Sequence, residues 1–410
     1  MHPNHENEVF HICQVNANAS LRCIFPLFCP QDTGCARDSS KKSITDYQIT
    51  DMTGHEYIHD TAFDFEAGGS VGRLKVAYHT SERPYIPGND PRKVIWICHA
   101  LTANSDAGAW WPEFVGKGKL LDTEKYFVVC VNMLGSPYGS DGPSSPRPSA
   151  AGADGKAAGE AVPYYLDFPK VTVRDIVRAC ILVRKHLGIS RIDLLIGGSI
   201  GGYQAMEWCI MEPEMISRAV LIACNARVTP WMTAYNESQR MAIEADGTFR
   251  ACGSLEGGKA GLECARTIAL ISYRSYEGYN LTQSEPSEDT VFPERACSYQ
   301  RYQGRKLSDR FDAYSYWYLT WSVDSHNVGR GRGGVDAALS SIRAACTVVG
   351  IDSDCLFPVD EQRYLADRIP GARFHEINSR FGHDGFLLEY PQLTAVMAPL
   401  LEEMDRDGRV

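Results

Sequence analysis

In the stretch LLIGGSIGGYQAMEW, residues 194–208, one hydroxyl, Ser199, stands between two pairs of glycines. The apolar residues before it read as a buried strand and those after it as a helix. Gly197-Gly198-Ser199-Ile200-Gly201 therefore fits G-x-S-x-G in the context that pattern requires. So sharp a turn forces the serine into a strained backbone conformation, and its neighbours must lack bulk to avoid collisions. The following helix aims its free N–H groups and the positive end of its dipole at the hydroxyl, which favours a developing anion. The chemistry suggested is nucleophilic attack on an acyl group, with a covalent ester on Ser199.

A serine hydroxyl needs a base to take its proton and an acid to hold that base. After a nucleophile turn of this kind, the acid and then the base follow in chain order. Of the eleven histidines, His383 in FGHDGFLLEY lies after the late strands, where a loop returns toward the sheet edge. His375 sits inside a strand-like run. His326, in DSHNVGRGRGG, comes too early in the order and reads as a structural histidine. The acid belongs after the run AACTVVGI, where DSDCLFPVD offers Asp352, Asp354 and Asp360; position alone does not choose among them. Two backbone N–H groups must hold the oxyanion: that of Ile200, and one from the loop HALTANSDAGAWW, where Leu101 is the first residue clear of its strand.

The elements that would position these groups are visible as apolar runs: KVIWICHA (93–100), YFVVCVNM (126–133), RIDLLIGGS (191–199) and RAVLIACNA (218–226). They are continuously apolar rather than alternating, as parallel strands buried on both faces are. Between the second and third, Val173, Ile176, Val177, Cys180, Val183 and Leu187 recur at three- and four-residue spacing, a crossover helix closed by Gly188. AACTVVGI (344–351), ARFHEIN (372–378) and a helix around PQLTAVMAPLLEEM complete the pattern. Strands alternating with helices predict an α/β protein with a mostly parallel, doubly wound sheet. Residues 227–342 are polar, aromatic-rich and helix-like, and read as an inserted helical lid. The core is expected over 46–226 and 343–410, with a loose extension over 1–45 and a long Gly/Pro/Ser-rich loop at 139–163.

At 410 residues, with 44% hydrophobic and 22% charged residues, the chain is of ordinary globular composition. Its formal net charge of -10 argues against nucleic acid or an anionic membrane as the main partner and leaves small molecules. No apolar run approaches the ~18 residues of a membrane span. The polar, acidic start lacks the marks of a secretory signal, so a cytoplasmic location is expected. The fourteen cysteines contain no Cys-x-x-Cys pair. Cys98, Cys130, Cys180, Cys209, Cys224 and Cys346 read as buried thiols, while Cys13, Cys23, Cys29 and Cys35 fall in the first 40 residues. No metal site is expected. Arg330 and Arg332 in GRGRGG read as a solvated loop.

Several strings, in order over roughly residues 60–400, together resemble the homoserine O-acetyltransferase family of the α/β-hydrolase superfamily. They include HALTANSDA, VTVRDIVRA, LLIGGSIGGYQAMEW, SQRMAIEADGTF, FDAYSYWYLTWSVDSHNVGRGRGG, DSDCLFP and FGHDGFLLE. The resemblance implies an α/β-hydrolase fold and acetyl transfer from acetyl-CoA, a cosubstrate rather than a bound cofactor, to the γ-hydroxyl of L-homoserine. It implies a homodimer joined through the lid helices. It puts the nucleophile on Ser199, the acid on Asp354 and the base on His383, and it places Arg266 and Tyr273 in the substrate pocket. A guanidinium can clasp the substrate carboxylate in bidentate fashion, and Asp384 beside the base could receive its ammonium. The chain departs from the family at Ala103, usually Gly, and Ile200, usually Met. Both changes narrow the acyl pocket, which leaves three alternatives: a larger acyl-CoA as donor, L-serine as acceptor, or ester hydrolysis by the same triad.

Overall fold

The fold is that of a computed structural model, which describes residues 50–147 and 162–407. The expected extension over 1–45, with Cys13, Cys23, Cys29 and Cys35, and residues 148–161 of the Gly/Pro/Ser-rich loop lie outside the described residues. In chain order the strands are β1 Met52–His59, β2 Phe63–Asp64, β3 Ser70–Val71, β4 Leu74–Ser81, β5 Val94–Cys98, β6 Phe127–Val131, β7 Leu194–Gly198, β8 Arg218–Ile222, β9 Ala345–Ile351 and β10 Arg373–Ile377. The helices are α1 Ala107–Trp110, α2 Val173–His186, α3 Ile200–Met211, α4 Pro230–Glu244, α5 Lys259–Tyr273, α6 Tyr276–Gln283, α7 Arg295–Ser308, α8 Ala313–Asp324, α9 Val335–Ser340, α10 Val359–Arg368, α11 Gly385–Leu388 and α12 Tyr390–Arg406.

Eight strands form one sheet in the order β1-β4-β6-β5-β7-β8-β9-β10. The six apolar runs of the sequence are β5 to β10, all parallel. Every residue of β5, β6 and β7 is buried, which is why these runs carry no polar alternation. Not foreseen were β1 and β4, which pair antiparallel with each other and, through β4, with β6. Helix α2 starts at a capping box between Thr172 and Asp175, and Gly188 follows it at φ 66°, where a residue without Cβ is favoured.

Strand β5 lies between β6 and β7, so the chain leaves it toward one side and returns on the other. The carboxyl ends of β5 and β7 thus flank a switch point, the crevice where open α/β sheets place ligands. Helices α4 to α9 are inserted between β8 and β9; α5 packs on both α4 and α7 around Ile243, Leu262, Ala265, Leu270 and Leu307, all buried. The loop after α8 is not the solvated segment its arginines suggested. Arg332 and Arg174 both pair with the buried Glu207 of α3, and Arg174 and Arg330 reach Glu66, tying the insertion to the helix behind Ser199.

Candidate active site

The register pairs Cys98 of β5 with Gly197 of β7, so the loop after β5 and the turn after β7 emerge side by side. Ser199 adopts φ 58°, ψ -127°, a region that costs a non-glycine residue about 1–3 kcal/mol. It is pinned there by its own N–H donating to the Ile222 carbonyl at 2.9 Å and by its carbonyl accepting from the Tyr203 N–H at 3.2 Å. The glycines around it serve another purpose: none of Gly197, Gly198, Gly201 and Gly202 has a positive φ. They provide space. A Cβ on Gly197 would overlap the Gly201 carbonyl, one on Gly201 would overlap the Cys98 carbonyl, and one on Gly202 would come within 2.6 Å of Cys224 Sγ.

Asp354 and His383 meet: imidazole Nδ1 lies 2.7 Å from Asp354 Oδ2, and both residues are buried. The other oxygen, Oδ1, accepts the N–H groups of Leu356 and Phe357, each at 2.9 Å. This locks the carboxylate plane and fixes which oxygen faces the ring. A carboxylate acceptor at Nδ1 requires the proton there, leaving Nε2 as the lone-pair nitrogen. The other acids of DSDCLFPVD are turned elsewhere: Asp352 Oδ1 accepts the Ser379 N–H at 2.9 Å, and Asp360 is almost fully exposed in the first turn of α10.

Phe386 connects the base to the nucleophile turn. Its ring lies 2.8 Å from where a Gly198 Cβ would be and 5.3 Å from the His383 ring, centroid to centroid. Ser199 itself is partly exposed and its hydroxyl makes no hydrogen bond among the described residues. Catalytic hydrogen bonds of this type commonly tighten only around the reacting substrate.

Neither the Leu101 N–H nor the Ile200 N–H donates to another described residue. Both donors are therefore available to an oxyanion. The loop between them is held by residues the sequence reading passed over. His99, fully buried, has Nδ1 2.9 Å from the Ala100 carbonyl and accepts the Met133 N–H on Nε2 at 3.0 Å; burial holds its pKa down to about 4, so the ring is neutral. Gln204 Nε2 donates to the carbonyls of His99, at 3.2 Å, and Ile200, at 3.3 Å. The available signal was a histidine at the carboxyl end of a wholly apolar strand.

Tyr273, at the end of α5, stands 5.9 Å from the His383 ring, and the Arg266 guanidinium lies over the Tyr273 ring at 5.5 Å. Burial raises the Tyr273 phenol's pKa, with Arg266 opposing. Asp384, expected to receive a substrate ammonium, is instead in an ion pair with Arg274, Nε to Oδ2 2.7 Å, both side chains nearly buried. Its negative charge is already answered from within the chain, so its place is beside the base as a positioning residue.

The sheet order and the strained turn at Ser199 define a protein of the α/β-hydrolase class, and the family described as alpha/beta hydrolase fold matches residues 93–250. The particular family follows from closer relatives. A homoserine O-acetyltransferase of Cyclobacterium marinum is 41% identical over 347 residues, spanning 85% of this chain and 95% of that protein; this chain belongs to the homoserine O-acetyltransferase family. Among solved structures, the homoserine O-acetyltransferase from Bacillus anthracis superposes with a TM-score of 0.77 at 22% identity, covering 86% of this chain and 98% of that one. Esterase E22 reaches 0.75 at 20% identity, covering 85% and 100%. So equal a likeness to a transferase and an esterase speaks for the fold alone.

Proposed function

We propose that this protein transfers an acetyl group from acetyl-CoA to the γ-hydroxyl of L-homoserine through an ester on Ser199, giving CoA and O-acetyl-L-homoserine for methionine synthesis. The observation that carries the reading is the 41% identity running along 95% of a homoserine O-acetyltransferase. In the first step His383 Nε2 takes the Ser199 proton as the oxygen attacks the thioester, and the Leu101 and Ile200 N–H groups hold the oxyanion. The CoA thiolate leaves with the proton returned by His383. Homoserine then gives its hydroxyl proton to His383, attacks the ester and departs acetylated, restoring Ser199. Asp354 keeps the imidazole in the reactive tautomer and stabilises its charged form. Arg266 clasps the acceptor carboxylate, with Tyr273 forming the wall between that carboxylate and the base. Phe357, Phe386 and Tyr273 ring the imidazole, an apolar setting that disfavours water as the competing acceptor.

The working form is a homodimer joined through the helical insertion. Trp231, Met241, Ile271, Tyr276 and Leu281, on α4, α5 and α6, are all more than half exposed, an apolar set that a second copy would cover. The place of work is the cytoplasm, in keeping with ten free cysteines among the described residues. Incubation with acetyl-CoA, following free thiol with and without homoserine, tests the activity. Thiol release that requires homoserine is expected; release at the full rate without it would make the protein a hydrolase, and no release would end the proposal.

A further inference from the structure

Three cations follow one another outward from His383 along the insertion: Arg266 on α5, Lys306 on α7, and Arg310 just past the end of α7. Arg310 Nη1 donates to the Thr102 carbonyl at 2.8 Å and to the Tyr138 hydroxyl. Thr102 follows Leu101, so this guanidinium sits at the rim of the oxyanion loop. Lys306 is half-buried and has neither a hydrogen bond nor a carboxylate partner among the described residues. Burial first, and then the charges of Arg310 and Arg266, bring its pKa down to about 8. The nearest acids in sequence are otherwise engaged: Asp309 faces Lys259 at 3.7 Å, and Glu263 accepts the Ser308 hydroxyl at 2.9 Å. Elsewhere in the insertion half-buried cations are answered by carboxylates, as Arg240 is by Asp324 at 2.8 Å and Arg274 by Asp384. A row of like charges, partly desolvated and unanswered, is stabilised by an anion from outside.

We infer that Lys306 and Arg310 form an anion site at the rim of the acyl pocket that receives a phosphate group of the acyl donor, leaving Arg266 for the acceptor carboxylate. The inference rests on the acetyl-CoA reading above. The division follows from molecular size. Homoserine's carboxylate is a few bonds from its reacting hydroxyl and so meets the cation nearest His383. The donor carries its phosphates at the far end of an extended arm, and needs its cations set away from Ser199 on the oxyanion side. A planar fork beside a compact ammonium suits phosphate oxygens.

The test uses the full chain and two readouts. Titration calorimetry of CoA against wild type and Lys306→Gln should show about tenfold weaker binding in the variant, restored by Lys306→Arg. Kinetically, the preference for acetyl-CoA over S-acetylpantetheine, which lacks the phosphates, should narrow by the same factor. Unaltered CoA binding and donor preference, or a loss confined to the homoserine KM, would overturn the assignment. Adenosine 3′,5′-bisphosphate should displace CoA from the wild-type protein, and failure to do so overturns it even where the Gln variant does not fold. Lys306-dependent CoA binding without acetyl transfer would sink the proposed activity and leave this site standing.

Discussion

Arg274 Nε lies 2.7 Å from Asp384 Oδ2, so the residue after the catalytic base is fastened to the residue after Tyr273, across 110 positions of chain. The same contact zone is tight in the backbone. A Cβ on Gly382 would lie 2.8 Å from Arg274 C and Ser275 N, and one on Gly278 would lie 2.5 Å from the Arg380 carbonyl oxygen. The Ser275 hydroxyl also donates to that carbonyl. The segment 273–278 and the loop 380–384 therefore form one packed unit.

Asp384→Asn should lower stability by about 3 kcal/mol, because a buried guanidinium loses its carboxylate. As a positioning change it should reduce kcat about tenfold or more while moving the homoserine KM by no more than about twofold. Steady-state kinetics beside urea denaturation decide this; a rise confined to the homoserine KM would restore Asp384 as the ammonium's partner.

Ser199→Gly should abolish acetyl transfer and yet make the protein more stable by about 1 kcal/mol, since the strain at φ 58° disappears with Cβ. A higher melting temperature in the dead variant is the expected sign; a lower one would mean that the serine's contacts outweigh its strain.

Asp354→Asn keeps the shape of the acid and changes its hydrogen bonding. Oδ1 must still accept from Leu356 and Phe357, so the amide NH2 would face His383 Nδ1 and drive the ring to the wrong tautomer. Turnover should fall by on the order of 10⁴, with thermal stability close to wild type.

Two buried histidines make stability depend on pH. Burial holds His99 down to about 4 and His326 down to about 3, whereas both rise to about 6.5 in the unfolded chain. Below pH 6.5 the unfolded state binds more protons, so this contribution is complete above 6.5 and is lost as pH falls toward 4. By pH 4.5 it amounts to about 2–3 kcal/mol for each. Urea midpoints between pH 7.5 and 4.5 should decline less steeply in His99→Gln than in wild type.

The sequence made legible what is local or periodic. β5 to β8 announce themselves because burial on both faces removes every polar residue, and the Ser199 turn because its glycines are crowded by near neighbours. β1 was not legible: its central residues are exposed, and its pairing depends on partners on β4, such as Thr80 with His55 at 3.1 Å. The choice of Asp354 over Asp352 and Asp360 was open to spacing alone, since it turns on which carboxylate the Leu356 and Phe357 amides lock in place. Arg274 with Asp384, and Arg310 with Thr102, join residues far apart in the chain, and no short-range pattern signals them.

Because Tyr273, Arg274 and Ser275 press against the backbone that carries His383, the insertion cannot swing away without dragging the imidazole along. Access and reactivity are thereby mutually exclusive: any widening of the entrance at α5 and α6 would unseat the proton acceptor, and an acetylated serine would meet bulk solvent only while the group able to activate a water molecule is out of place.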